Sequence, residues 1–250
     1  MTSLVPAALD VAVFLTPSDS IDADRVEAYR ALLSPEEHTR STRFVFERDR
    51  RQYIVTRALV RTVLSELRPA VGPAAWRFVI GEFGRPELSP EHDVDLRFNV
   101  SHTRGAVVLA LSTAERLGVD IEAIDRGLTL DDVSPVLAPA ELARLRRTDV
   151  DRLPSELMKY WTLKEAYVKA LGSGLSDDIR QIELELTPAI TVRDTRSPDV
   201  GGWFFALQAA PGGHVLALAV QSEGRSMLRL SARRRIPLGD DAPIVLGEVL

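Results

Sequence analysis

The stretch "KYWTLKEAYVKALGSG", Lys159–Gly174, has the periodicity of an amphipathic helix that ends at the glycines after Leu171. Its apolar residues share one face: Tyr160, Leu163, Ala166, Tyr167 and Ala170. Glu165 and Lys169 lie on the opposite face, with Trp161 at its margin. A Glu followed by Lys at i+4 stabilises a helix surface by only a few tenths of a kcal/mol. The pair is therefore either helix-surface electrostatics or a pair of charges directed at a ligand.

The composition is that of a soluble globular protein: 250 residues, 45% hydrophobic and 27% charged, with a net charge of -5. This charge argues against a general nucleic-acid-binding surface, so any anion site has to be local. With 0 Cys, thiol catalysis and disulfides are excluded. The N-terminus is a poor signal peptide, and no apolar run approaches the roughly 20 residues of a membrane span. We expect a cytoplasmic protein without membrane or nucleic-acid partners.

Alternating strand and helix patterns favour an α+β fold. Strands are predicted at "DVAVFLT", "RFNVSHTRGAVVLALS", "RLGVDIEAI", "IRQIELELTPAITV", "WFFALQAA" and "HVLALAVQ", and a long helix at "RFVFERDRRQYIVTRALVRTVLSEL". We expect one α+β half over residues 1–112, a second over 113–222, and an edge strand plus loosely attached tail over 223–250. No repeat is evident from sequence similarity alone.

"GVDIE", Gly118–Glu122, places two carboxylates together if it is a strand, because alternate side chains share a face. Val119 and Ile121 then point inward, while Asp120 and Glu122 project from the other side. A solvated outer face is one interpretation. The other is half of a Mg²⁺ site, because Mg²⁺ takes one or two carboxylates together with water and substrate phosphates.

Two further polar clusters could bind a ligand. "FNVSH" places Ser101 and His102 at a strand end, but no G-x-S-x-G elbow supports a serine hydrolase. "RSTRFVFERDRR" is rich in arginine and could grip phosphate or form a mixed-charge helix surface: Arg40, Arg43, Arg48, Arg50 and Arg51. No Walker A loop, G-x-G-x-x-G or H-E-x-x-H motif is present.

The motifs "SPEE", "FGRP", "FNVSH", "GVDIE" and "WTLKEAYVKALGSGL" occur in this order over residues 34 to 175. Together they resemble the 4'-phosphopantetheinyl transferases of the larger single-chain type, related to surfactin synthetase activators. The resemblance implies a pseudo-twofold arrangement of two similar α+β halves, with coenzyme A bound in the cleft between them. A chain that contains both halves needs no partner subunit, so we expect a monomer.

The resemblance also implies roles for individual residues. Mg²⁺ ligands would be Asp120, Glu122 and Glu165, with Glu165 also the general base and Lys169 a donor to the leaving phosphate. Residues that would bind coenzyme A are Ser101 and His102 at its nucleotide end, with His102 at the 3'-phosphate, Arg85 and Pro86 beside the adenine, and Arg40 and Arg43 at the phosphates. Glu37 and Gln52 replace basic residues of relatives, for which Arg48 or Arg51 would compensate.

The implied reaction transfers phosphopantetheine from coenzyme A to a serine of an apo acyl or peptidyl carrier protein and releases 3',5'-ADP. Two alternatives stay open at this point. One is a non-catalytic module that binds coenzyme A or carrier domains. The other is a different Mg²⁺-dependent enzyme acting on a nucleotide diphosphate, which coenzyme A dependence would separate from the transferase.

Overall fold

A computed structural model describes residues 8–81, 84–174, 177–196 and 202–247. The first part of the chain forms a sheet and three helices on one side of it. Its elements are β1 (Ala8–Pro17), α1 (Ala23–Arg30), α2 (Pro35–Ser41), α3 (Glu47–Leu67), β2 (Phe78–Ile80), β3 (Pro86–Leu88), β4 (Arg97–Thr103) and β5 (Ala106–Ser112). The sequence predicted the long helix from Arg43, but Phe46 is still extended and α3 begins at Glu47.

The second part of the chain repeats this order of elements. They are β6 (Leu117–Ala123), α4 (Leu130–Val133), α5 (Pro139–Leu145), α6 (Leu153–Leu171), β7 (Ile182–Glu185), β8 (Thr191–Asp194), β9 (Trp203–Ala210) and β10 (His214–Gln221). In each part a strand precedes two short helices and one long helix, and a small two-stranded sheet and a hairpin follow. The strand order β1-β5-β4 matches β6-β10-β9, with antiparallel pairing in both. The fold is therefore α+β with two similar halves. The strands predicted from the sequence are confirmed, except that "IRQIELELTPAITV" forms two strands, β7 and β8, where the sequence predicts one.

The C-terminal segment is part of the first sheet. β11 (Met227–Arg235) pairs in parallel with β1 from Ala8 to Leu15, and β12 (Asp241–Pro243) covers its outer edge. The expectation of an edge strand with a loosely attached tail is thus wrong for this segment, because β11 is an interior strand of a five-stranded sheet. The division into halves at residues 112 and 113 remains a proposal, which the duplicated order of elements supports.

Three apolar cores hold these layers together. One lies between α3 and the first sheet, the second between the two sheets, and the third between α6 and the second sheet. Val119 and Ile121 enter the middle core, as their alternation predicted. The side chains of Asp120 and Glu122 consequently project from the opposite face of β6, on the side of α6.

α6 lies unusually close to β6. A Cβ atom added at Gly118 would lie 1.9 Å from the Ala166 carbonyl oxygen and 2.5 Å from the Ala170 nitrogen. Only glycine permits this approach of the helix backbone to the strand. α6 ends at Gly172, whose φ of 70° is the left-handed C-terminal conformation that the sequence predicted. No helix in the described ranges is long and apolar enough to span a membrane.

Candidate active site

The two halves meet along a seam between β4 and β6. Three hydrogen bonds cross it: Val119 N donates to Asn99 Oδ1 (2.9 Å), Ser101 Oγ to Asp120 Oδ1 (2.6 Å), and Thr103 Oγ1 to Glu122 Oε2 (2.9 Å). Alternate residues of β4 share a face, which explains why positions 99, 101 and 103 all reach β6. The seam therefore brings the two predicted acidic ligands of β6 next to Ser101.

Lys169 of α6 reaches the same seam. Its Nζ lies 2.7 Å from Asp120 Oδ1 and 2.8 Å from Ser101 Oγ, and its side chain is 28% exposed. The ammonium group is thus held by a carboxylate and a hydroxyl from two different strands. Because its ion-pair partner is Asp120, the interpretation of Lys169 as half of a helix-surface pair with Glu165 does not describe this geometry.

Glu122 is held by donors on both of its oxygens. Oε1 accepts hydrogen bonds from Trp161 Nε1 (3.2 Å) and from Arg126 Nη1, and Oε2 accepts the bond from Thr103. The Arg126 guanidinium also lies over the Trp161 ring, 5.6 Å from its centroid. Trp161 therefore contacts the acidic site, which explains an indole beside the charged face of α6.

Glu165 differs from both β6 carboxylates. Within the described residues it forms no side-chain hydrogen bond or ion pair. Burial, and after it the neighbouring Asp120 carboxylate, raises the pKa of Glu165 to about 7. Burial and Asp120 also raise the pKa of Glu122. Three carboxyl groups from β6 and α6 thus influence one another electrostatically.

These carboxylates do not form a ready-made metal site. Across the described ranges no three acidic or histidine side chains converge as a metal site, and two of the three predicted ligands are paired with Lys169 and Arg126. The chemistry of the donors nevertheless fits a hard cation. Asp120 Oδ2 is buried and has no hydrogen-bond partner in this part of the chain, a costly state for a carboxylate oxygen that a cation would relieve.

Two family models match the chain, one on each side of this seam. The N-terminal model of 4'-phosphopantetheinyl transferases matches residues 21–114, and the model of the 4'-phosphopantetheinyl transferase superfamily matches residues 116–219. The chain belongs to the 4'-phosphopantetheinyl transferase superfamily. Since both matched regions lie on one chain, it is of the larger single-chain type.

Curated relatives carry the same family name. The 4'-phosphopantetheinyl transferase HetI of a Nostoc species is 27% identical over 86% of this chain and 89% of its own length. The 4'-phosphopantetheinyl transferase Sfp of Bacillus subtilis is 26% identical over 69% of this chain and 76% of its own. Among solved structures, a holo-(acyl-carrier-protein) synthase of Bacillus anthracis in complex with CoA matches 43% of this chain and 95% of its own, with 18% identity and a TM-score of 0.37.

In this transferase, Arg85 links the two halves. Its Nη1 donates to the Lys169 carbonyl at 2.9 Å and its Nη2 to the Phe98 carbonyl at 3.2 Å. A cleft of about 330 Å³ opens here, lined by Arg85, Pro86, Val100, Glu165, Val168 and Lys169 among others. Arg85 and Pro86 therefore stand beside the two α6 residues predicted to be catalytic. Two of the guanidinium donors are already used by backbone carbonyls.

His102 lies at the rim of a second depression, of about 320 Å³, that also contacts Gln52, Thr103, Glu122 and Arg126. Burial by the surrounding protein, and then the charge of Lys169, lowers the pKa of His102. His102 is at the same time exposed to solvent. Gln52 Nε2 donates to the Thr103 carbonyl at 2.5 Å and adds no charge to this depression.

The remaining predicted arginines are not gathered at the seam. Arg40 and Arg43 line an open surface depression with Phe44, and the Arg40 guanidinium lies 5.7 Å from the Tyr53 ring centroid. Arg51 reaches the Ser18 carbonyl at 3.5 Å. Their assignment to the coenzyme A phosphates stays a prediction.

Three residues that donate hydrogen bonds to Glu122 were not predicted from the sequence in this role: Thr103, Arg126 and Trp161. A signal for Thr103 was available, because Asn99, Ser101 and Thr103 alternate with residues of the opposite face. Arg126 had no such signal. It follows β6 after a turn in which its amide donates to the Ala123 carbonyl, and this turn places the side chain beside Glu122.

Proposed function

We propose that this chain transfers 4'-phosphopantetheine from coenzyme A to a serine of an apo acyl or peptidyl carrier protein, with the reaction at the seam and its adjoining cleft. The observation that carries the proposal is the position of Lys169. Its ammonium group is held by Asp120 and Ser101 at the junction of the two halves, one helical turn from the carboxylate of Glu165, which has no partner in the described ranges. Family membership supplies the reaction class.

The pyrophosphate of coenzyme A fits next to Lys169. A cation held in a partly buried site stabilises charge that develops on phosphate oxygens. We place the adenine in the cleft of Arg85 and Pro86. The exposed His102 then suits the 3'-phosphate, and Arg40, Arg43 and Arg51 add positive charge along the first half. Ser101, whose hydroxyl donates to Asp120, positions the lysine rather than attacking phosphorus.

In the transfer step, the carrier serine oxygen bonds to the β-phosphorus of coenzyme A. The bond from that phosphorus to the bridging pyrophosphate oxygen breaks, and 3',5'-ADP leaves with the bonding pair. The serine proton passes to Glu165, whose carboxylate has no competing donor in the described chain. Lys169 donates a hydrogen bond, or its proton, to the leaving phosphate oxygen.

We further propose that Asp120, Glu122 and Glu165 hold Mg²⁺. When bound, Mg²⁺ would neutralise negative charge on the pyrophosphate. Asp120 Oδ2 and the Glu165 carboxylate, neither of which has a partner among the residues that the structure describes, support this assignment. A monomer in the cytoplasm is the simplest setting, since both halves of the cleft lie on one chain that contains 0 Cys.

Intact-protein mass spectrometry tests the proposal. The purified chain is incubated with coenzyme A, Mg²⁺ and a panel of apo carrier proteins, with an EDTA control. We expect a phosphopantetheine mass increase on at least one carrier. EDTA should abolish this increase, and a carrier whose acceptor serine is replaced by alanine should not show it. Binding of coenzyme A without any mass increase on the panel would instead favour a non-catalytic binding module.

A further inference from the structure

Arg126 occupies a special position among the charges of the site. It donates to Glu122, and its guanidinium covers the Trp161 ring, whose Nε1 donates to the same Glu122 oxygen. The remaining oxygen of Glu122 accepts from Thr103. Oε1 of the carboxylate is therefore shared by one cation and one neutral donor, Arg126 and Trp161, while Oε2 is held by the neutral donor Thr103.

The three donors differ in how firmly they are fixed. Thr103 belongs to β4 and Trp161 to α6, and both elements pack in the interior. Arg126 instead follows β6 on a turn, and its side chain is 41% exposed while that of Glu122 is 10% exposed. An ion pair with one exposed partner contributes little to stability, so the guanidinium is the donor that is easiest to displace.

We propose that Arg126 is an internal counter-ion of Glu122 that competes with the divalent cation, while Thr103 and Trp161 are positioning residues that keep the carboxylate in place during the exchange. The inference rests on the Mg²⁺ site of the proposed function. A cation that binds Glu122 has to share or replace the charge of Arg126, because both act on the same carboxylate. Arg126 thus sets the affinity for the metal and moves off Trp161 when the metal binds.

The pairing with Arg126 also offsets repulsion within the acidic site. Asp120 and Glu122 lie two residues apart on one face of β6, and two like charges in such a place repel each other. Lys169 neutralises the first and Arg126 the second. Each of the two β6 carboxylates is therefore paired with one cation. Lys169 is needed for the phosphates, which leaves Arg126 as the cation that can be exchanged.

Metal titration of the full chain, without coenzyme A, tests the inference. The probe is Mn²⁺, followed by the electron paramagnetic resonance signal of the free ion, and Mg²⁺ is then used as a competitor. We expect Arg126→Gln to bind Mn²⁺ about fivefold more tightly than the parent chain, the factor that corresponds to an exposed ion pair. Thr103→Val should bind it more weakly, since one fixed donor to Glu122 is lost.

Arg104→Gln is the matched control. Arg104 forms an exposed ion pair with Asp125, the residue before Arg126, and within the described residues its side chain forms no hydrogen bond or ion pair with Glu122. The Arg104→Gln substitution removes one positive charge from the same region as Arg126→Gln does. Its effect on Mn²⁺ affinity therefore measures long-range electrostatics alone. Equal tightening in Arg104→Gln and Arg126→Gln, or unchanged affinity in Arg126→Gln, would overturn the inference.

Trp161 provides a second, independent signal. Mg²⁺ should change the tryptophan emission of the parent chain as Arg126 leaves the ring. This change should be absent in Trp161→Phe and in Arg126→Gln, and present in Arg104→Gln. An emission change that persists in Arg126→Gln would contradict the displacement. If no variant binds Mn²⁺ although phosphopantetheine transfer occurs, the metal site and this inference both fail while the transferase assignment stands.

Discussion

The ammonium group of Lys169 lies 2.7 Å from the carboxylate of Asp120 and joins the long helix of the second half to the strand that faces the first half. We expect Lys169→Met to lower the transfer rate about 10²- to 10³-fold, because a charge aimed at the reacting phosphates is lost. The measurement is kcat/KM for a carrier that the parent chain modifies. Lys159→Met is the control: Lys159 is on the same helix but pairs with Glu156. Equal losses in both variants would contradict the assigned role.

Glu165→Gln should abolish transfer and leave the fold intact. It should also stabilise the metal-free protein at high pH, because the pKa of Glu165 is raised from 4.5 to about 7. A raised acid pKa means that the native state binds the proton more tightly, so stability is lost as pH rises from about 4.5 through 7. Urea unfolding in EDTA should therefore show the variant more stable than the parent at pH 8 and equal to it near pH 4.5.

Glu156→Gln, on the same helix, is the control for that variant. It should retain transfer and show no gain in stability at pH 8. An active Glu165→Gln enzyme would remove Glu165 from the proton transfer that we propose.

Gly118→Ala should separate α6 from β6, because the added methyl group would overlap the helix backbone at Ala166 and Ala170. We expect a loss of about 3 kcal/mol or more in the free energy of unfolding, since backbone cannot move aside as a flexible side chain can. Gly72→Ala is the control, as a Cβ there meets nothing within 4 Å. Chemical denaturation of both variants checks this, and similar midpoints would show that the close approach is not rigid.

His102 should titrate below its ordinary pKa of about 6.5, because burial and Lys169 disfavour its charged form. The unfolded chain then takes up the proton first, so this residue makes stability fall as pH drops below about 6.5. NMR titration, with the His102 signal assigned by its loss in His102→Gln, measures the midpoint. Coenzyme A should raise that midpoint if its 3'-phosphate lies beside the ring. An unchanged midpoint would place the phosphate elsewhere.

Lys164 and Glu141 form a buried ion pair behind the active site, with Nζ 2.8 Å from Glu141 Oε2 and both side chains at most 1% exposed. Lys164 also donates to the Val136 and Ile182 carbonyls. Lys164→Met leaves Glu141 buried without its cation, which should cost about 3–5 kcal/mol.

The double variant Lys164→Met/Glu141→Gln tests the coupling of that pair. It should be more stable than the sum of the two single changes predicts, because it removes both charges. Additive losses in thermal or urea unfolding would mean that the two groups act independently.

Much of the fold could be predicted because the strands carry long apolar or alternating runs. The alternation in "GVDIE" placed Asp120 and Glu122 on one face of β6, and the helical period placed Glu165 and Lys169 together on α6. The place of the C-terminal strand could not be predicted in this way. Nothing local in residues 227–235 specifies a partner that lies more than 200 positions earlier, since strand pairing depends on long-range burial.

The sequence by itself determined the elements, the acidic pair on β6 and the charged face of α6, because these follow from periods of 2 and 3.6 residues in the local pattern. It also determined the family, through the order of its motifs. Only the tertiary structure decided which charges meet. Lys169 forms an ion pair with Asp120 at the seam, and Arg126 forms one with Glu122. Arg85 donates hydrogen bonds to backbone carbonyls of both halves. Such pairs form between groups that are distant in the chain, so they depend on how the two halves pack.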